Sequence, residues 1–108
     1  MKKVKISLEY KCFPVWIYDE DNRLVDNDLP SELIGDPEID PPFVHIQEIF
    51  DSLFLDDKRE FKYIGFETAE QRESFLEEVF SSINLLRNKL SGEYKIEVNM
   101  NKIREVVS

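Results

Sequence analysis

The 108-residue chain has one cysteine (Cys12), one histidine (His45) and three glycines, and each scarcity removes a class of function. A lone cysteine makes no internal disulfide and no Cys-rich zinc site, which suits a reducing compartment. One His and one Cys leave little from which to assemble a nucleophile, its base and an orienting partner. Gly35, Gly65 and Gly92 stand far apart and outside any phosphate-cradling pattern. No apolar run nears the ~18–20 residues of a membrane span. Met1-Lys2-Lys3-Val4-Lys5 lacks the apolar stretch of a secretory leader. The expectation is a cytoplasmic protein that is not an enzyme, uses no cofactor or metal and does not engage a membrane.

Basic residues are also scarce, with 14 Lys and Arg against 23 Asp and Glu for a net charge of -9. The imbalance is local. Asp19, Glu20, Asp21, Asp26, Asp28, Glu32, Asp36, Glu38 and Asp40 share one segment with a single cation, Arg23, so that segment carries -8 of the total. Such a field repels nucleic acid and phospholipid and draws a basic partner over about a Debye length. A run of charge commonly means no more than a solvated loop. Here, however, the acids interleave with Trp16, Tyr18, Leu24, Leu29, Leu33 and Ile34, a mixture typical of interfaces. Turn and proline residues in the same run lower the entropy lost on binding. Either Val15 and Ile17 or Trp16 and Tyr18 must point to the core, because side chains alternate along a strand.

The remaining chemical candidates are weak. A calcium loop counted from Asp19 needs Gly where Leu24 stands and Glu where Pro30 stands; counted from Asp21, it meets Arg23 at its third position. Paired carboxylates acting as acid and base need a sugar-sized cleft, for which a 12.8 kDa chain has little room. Cys12, beside Lys11, reads as a small packed thiol. His45 precedes Glu48 by three residues on a helix and reads as a surface or intrahelical hydrogen-bonding group, not a zinc ligand.

With 42% apolar residues, including eight Phe, four Tyr and one Trp, the chain can fill a single core, so residues 1–108 are expected to be one domain. Val4, Ile6, Leu8 and Tyr10 alternate with polar residues as a strand. A second strand begins near Pro14, turns at Asp19-Glu20-Asp21-Asn22 and returns as Arg23 to Asp26. Gly35, Pro37, Pro41 and Pro42 break the next stretch into a loop. Asp40 caps a helix carrying Phe43, Ile46, Ile49, Phe50 and Leu53. After the charged turn Asp56 to Arg59, Phe61 and Tyr63 mark a strand. Thr68-Ala69-Glu70-Gln71 forms a capping box, so a helix starts at Ala69. Phe75, Leu76, Val79, Phe80, Ile83, Leu86 and Leu90 give that helix its apolar stripe, and Gly92 stops it. Tyr94, Ile96 and Val98 form the last strand, followed by a tail from Asn99. The sum is an α+β fold in the order β-β-β-α-β-α-β, a mainly antiparallel sheet of about five strands with two helices on one face.

The run Tyr10-Lys11-Cys12-Phe13-Pro14-Val15-Trp16-Ile17-Tyr18-Asp19-Glu20-Asp21, followed by Asn27-Asp28-Leu29-Pro30, resembles small acidic immunity proteins of bacterial polymorphic-toxin and contact-dependent growth inhibition systems. Phe61 to Phe66 and the Glu-rich helix extend the likeness across most of the chain. The resemblance implies a cytoplasmic, non-enzymatic protein that binds a cognate toxin domain and covers its active site or substrate groove. Many such toxins are nucleases with basic surfaces, which carboxylates can occupy as phosphates do. On this reading Trp16, Tyr18 and the nine acids from Asp19 to Asp40 contact the toxin, with Glu73, Glu77 and Glu78 of the long helix as the other candidates. The competing reading is a homodimeric structural or regulatory subunit that pairs by a sheet edge at Lys2 to Glu9 or Phe13 to Tyr18.

Overall fold

The computed structural model describes residues 2–90, 92–101 and 103. Alternation at the start of the chain yields strand β1 (Lys2–Ile6), in which Val4 and Ile6 are buried. Strand β2 (Val15–Tyr18) lies antiparallel to it, with Lys3 opposite Tyr18, Val4 opposite Ile17, Lys5 opposite Trp16 and Ile6 opposite Val15. Directly opposed residues share a face. Val15 and Ile17 therefore belong to the core side, and Trp16 and Tyr18 to the outer side with Lys3 and Lys5. Asn22 adopts the left-handed conformation (φ 63°), and its amide reaches the Asp19 carbonyl at 3.0 Å, closing the hairpin to β3 (Leu24–Asp26). A register shift between Ile17 and Tyr18 adds an irregularity to this pair.

Helix α1 (Asp40–Ser52) has prolines in its first turn, where a missing N–H costs nothing. Asp40 does not cap it from outside: it is the first helical residue, and its carboxylate accepts the Gly35 N–H at 2.7 Å. Helix α2 (Ala69–Lys89) begins at the residue the capping box marks, with Thr68 Oγ1 accepting the Gln71 N–H at 3.1 Å, but among the described residues the Gln71 side chain does not accept the Thr68 amide in return, so only half of the box forms. It ends at an extended Leu90, two residues before Gly92. Phe43, Ile46 and Phe50 of α1 meet Phe75, Val79, Ile83 and Leu86 of α2 over Val4, Ile6 and Val15. Phe80 departs from the expected stripe and is exposed. It follows Val79 by about 100° of helical rotation, which carries it off the buried arc.

The main sheet has four strands, not five, in the order β3-β2-β1-β6, and β6 (Tyr94–Val98) runs parallel to β1. The described residues hold six strands, one more than expected. The segments β4 (Phe54–Asp56) and β5 (Phe61–Tyr63) form their own antiparallel hairpin, outside the main sheet. Only Leu53 separates α1 from β4, so the hairpin stays at the end of α1, and the Leu53 carbonyl accepts the Ile64 and Gly65 amides at 2.7 and 3.1 Å. The order also bears on sheet-edge pairing: β1 and β2 are interior strands, and the open edges of the main sheet belong to β3 and β6. Beyond β6, the Asn99 amide donates to the Ile6 carbonyl and Ile103 is buried in the core. The rest of the tail, Lys102 and residues 104–108, lies outside the described residues.

Candidate functional site

The acidic segment divides into carboxylates that hold backbone and carboxylates that hold nothing. Asp19 Oδ1 accepts the Asp21 and Arg23 amides, both at 2.9 Å, and so builds the β2–β3 turn. Asp26 and Asp28 each accept the amide of the next residue, at 2.8 and 2.7 Å. Asp36 accepts the Glu38 amide at 2.8 Å and pairs with Lys89 Nζ at 3.1 Å, while Glu38 lies 3.5 Å from the same ammonium. The Glu38 amide, followed by Lys89, holds the Asp36 carboxyl below its ordinary range, and Asp36 raises Lys89 in turn. Lys89 ties this loop to the far end of α2. Glu20, Asp21 and Glu32, by contrast, are exposed, and their carboxylates have no partner among the described residues.

Asn27 braces the segment from within. Its side-chain oxygen accepts the Phe13 amide at 3.1 Å, and its nitrogen donates to the Phe13 and Val15 carbonyls at 2.7 and 2.9 Å. The acids therefore stand on a loop pinned to the start of β2. Trp16 and Tyr18 stand apart from them in charge. Trp16 Nε1 donates to the Ser7 carbonyl at 3.1 Å, and Lys3 Nζ sits 4.7 Å from the Tyr18 ring centre while pairing with Glu97 at 3.1 Å. Lys3 holds the Glu97 carboxyl below its ordinary range. The outer sheet face is thus aromatic and lysine-bearing, and it does not bring the two rings into the carboxylate cluster.

A second surface was not legible as a unit in the sequence. Between α1, α2 and the segment after β5 lies a cleft of about 690 Å³, floored by Ile49, Leu53, Phe66 and Phe75 and rimmed by Glu67, Glu70 and Glu78. At its mouth His45 pairs with Glu78 at 2.5 Å, an interhelical partner in place of the intrahelical Glu48. Glu78 raises the His45 pKa by hydrogen bonding and by its charge. Of the long-helix acids named from sequence, only Glu78 reaches this cleft; Glu73 and Glu77 line a shallower depression with Leu76 and Phe80 on another side of α2. From sequence Glu70 counts only toward the helix start, and Glu67, which precedes the helix, has no role; the fold brings both to this cleft. Among the described residues, no three His, Cys, Asp or Glu side chains are grouped to hold a metal ion, and no helix is long and apolar enough to cross a membrane.

A small α+β domain with its unpaired carboxylates and several large apolar side chains turned outward has the make-up of a protein that binds another protein. The family described as Serratia CdiI immunity protein-like matches residues 2–101, and the chain belongs to that family. It is an immunity protein of a contact-dependent growth inhibition system, an antitoxin-like inhibitor whose counterpart is a cognate toxin. No curated protein matches the chain.

Proposed function

We propose that the chain neutralises its toxin in the cytoplasm by binding, without turnover, a basic surface of the toxin domain through the segment from Trp16 to Asp40. A nuclease substrate groove is the surface that fits best, since its lysines and arginines already accommodate closely spaced negative charge. The observation that carries this reading is the exposure of the partnerless Glu20, Asp21 and Glu32 on a segment of net charge -8. Asp19, Asp26, Asp28, Asp36 and Asp40 shape that segment and add to its field, while Glu38 shares Lys89. Trp16 and Tyr18 flank it as apolar anchors.

The test is association with the cognate toxin domain across a range of ionic strength. Binding should weaken as salt rises, and E20K/D21K/E32K should slow association by about tenfold or more while leaving the fold intact. Association that ignores both salt and this triple reversal would remove the acidic surface from the mechanism. A stable dimer in light scattering, with no affinity for the toxin, would favour the regulatory-subunit reading instead.

A further inference from the structure

Four consecutive residues next to the interhelical cleft are all exposed, and three of them are large and apolar: Phe61 is 56%, Tyr63 42% and Ile64 55% accessible. Large apolar side chains left in water side by side are uncommon on a protein that works alone. Their exposure follows from the fold, because among the described residues β5 pairs only with β4, outside the main sheet. Phe61 stacks on Phe54 with ring centres 5.4 Å apart and planes 2° from parallel, so the exposed ring is held in place. Ile64 is fixed by its amide on the Leu53 carbonyl. Both present a rigid apolar surface, which costs little entropy to bury. Ile64 lines the cleft with Ile49, Leu53 and Phe66, and Phe61 stands three residues before it in the chain, outside the cleft lining.

The charges around the cleft select the occupant. Glu67 and Glu70 are exposed and have no partner among the described residues. Of the nearby cations, His45 is engaged by Glu78 and Lys62 by Glu60, while Arg72 lines a neighbouring depression with Tyr63 and Glu67. A small molecule of the cleft's volume would leave Phe61 uncovered. A polypeptide with a basic side chain flanked by apolar ones would cover everything at once. We infer that the cleft between α1 and α2, together with Phe61 and Ile64, is a second docking surface of this immunity protein. It takes a basic, amphipathic segment of the toxin, with an Arg or Lys between Glu67 and Glu70. The inference rests on the toxin-binding reading but on different residues from the Trp16 to Asp40 segment. Two contacts of modest strength on one rigid body combine into tight binding, since the second forms at the high effective concentration set by the first.

The experiment measures affinity for the cognate toxin domain with three variants of the whole protein: I64S, F61S and E67Q/E70Q. The fold of each variant is checked by circular dichroism and melting temperature, which should stay near wild type because the four replaced side chains are exposed. The expected result is a tenfold or greater loss of affinity for I64S and for E67Q/E70Q, with a smaller salt dependence in the latter. Affinity within threefold of wild type for both overturns the inference. If E20K/D21K/E32K weakens binding while the cleft variants do not, the acidic-segment reading stands and this one falls. If the wild-type protein fails to bind the toxin domain, both fall.

Discussion

Asn27 illustrates how one polar side chain sets the shape of a charged segment. Three hydrogen bonds to the backbone of Phe13 and Val15 leave it no freedom, and no hydrophobic pattern could have announced it. Replacing it with Ala should cost about 1.5–3 kcal/mol, from partly buried backbone groups losing their partner, as read from denaturant unfolding. His45 offers a pH test. Its folded pKa is raised by Glu78, so the pair's stabilisation is fully present below the unfolded value of about 6.5 and is lost as pH rises through the raised value. The stability difference between wild type and His45→Gln should therefore be larger at pH 5.5 than at pH 9. It should stay within about 1 kcal/mol, because the pair is solvent-screened. Asp36 has the opposite sign: its lowered pKa gives stability above the ordinary carboxylate range that is lost as pH falls through the folded value. The histidine was read from sequence as exposed and helical, and so it is. Its partner was out of reach because Glu78 lies 33 residues away on the other helix.

At the scale of elements, local chemistry decided most starts and turns. Thr68 had to begin α2, because its hydroxyl accepts the Gln71 amide, one of those the helix start leaves unpaired. Thr68→Ala should lower stability by about 1 kcal/mol, measurable as a reduced denaturant midpoint with an unchanged slope. Asn22 had to take the hairpin corner for an equally local reason, tolerance of positive φ. What element-level reading missed was pairing. Phe54 to Asp56 offers only three residues, too few for alternation to register, and becomes a strand because Phe61 to Tyr63 folds back on it. The resulting hairpin departs from the main sheet for a steric reason, the single residue between α1 and β4.

For the molecule as a whole, the core joins both helices to one face of the sheet, and the other face is left to lysines and aromatics. Phe43 sits fully buried within that core. Phe43→Ala should cost about 3–5 kcal/mol, a large share of the stability of a chain this size, and should appear as a steep fall in melting temperature. The charge distribution follows from the same architecture. Lys89 gathers Asp36 and Glu38 into the scaffold, while Glu20, Asp21, Glu32, Glu67 and Glu70 remain turned outward. The salt dependence of toxin association should accordingly shrink most when these outward carboxylates are neutralised. Asp36→Asn should instead act mainly through stability, since it removes the brace to α2.

The sequence by itself determined the class: an acidic α+β chain of immunity-protein type, its long helix started by Thr68 and its charge concentrated between Asp19 and Asp40. Those features are local, written in composition, in periods of two and 3.6 residues and in short turn signals. Tertiary structure alone decided which carboxylates are free, that Trp16 and Tyr18 face lysines on the outer sheet, and that Glu67, Glu70 and Ile64 share one cleft. The last two depend on segments far apart in the chain, whose meeting is set by packing; the first does so where Lys89 of α2 engages Asp36, while Asp19, Asp26 and Asp28 bind amides of their sequence neighbours.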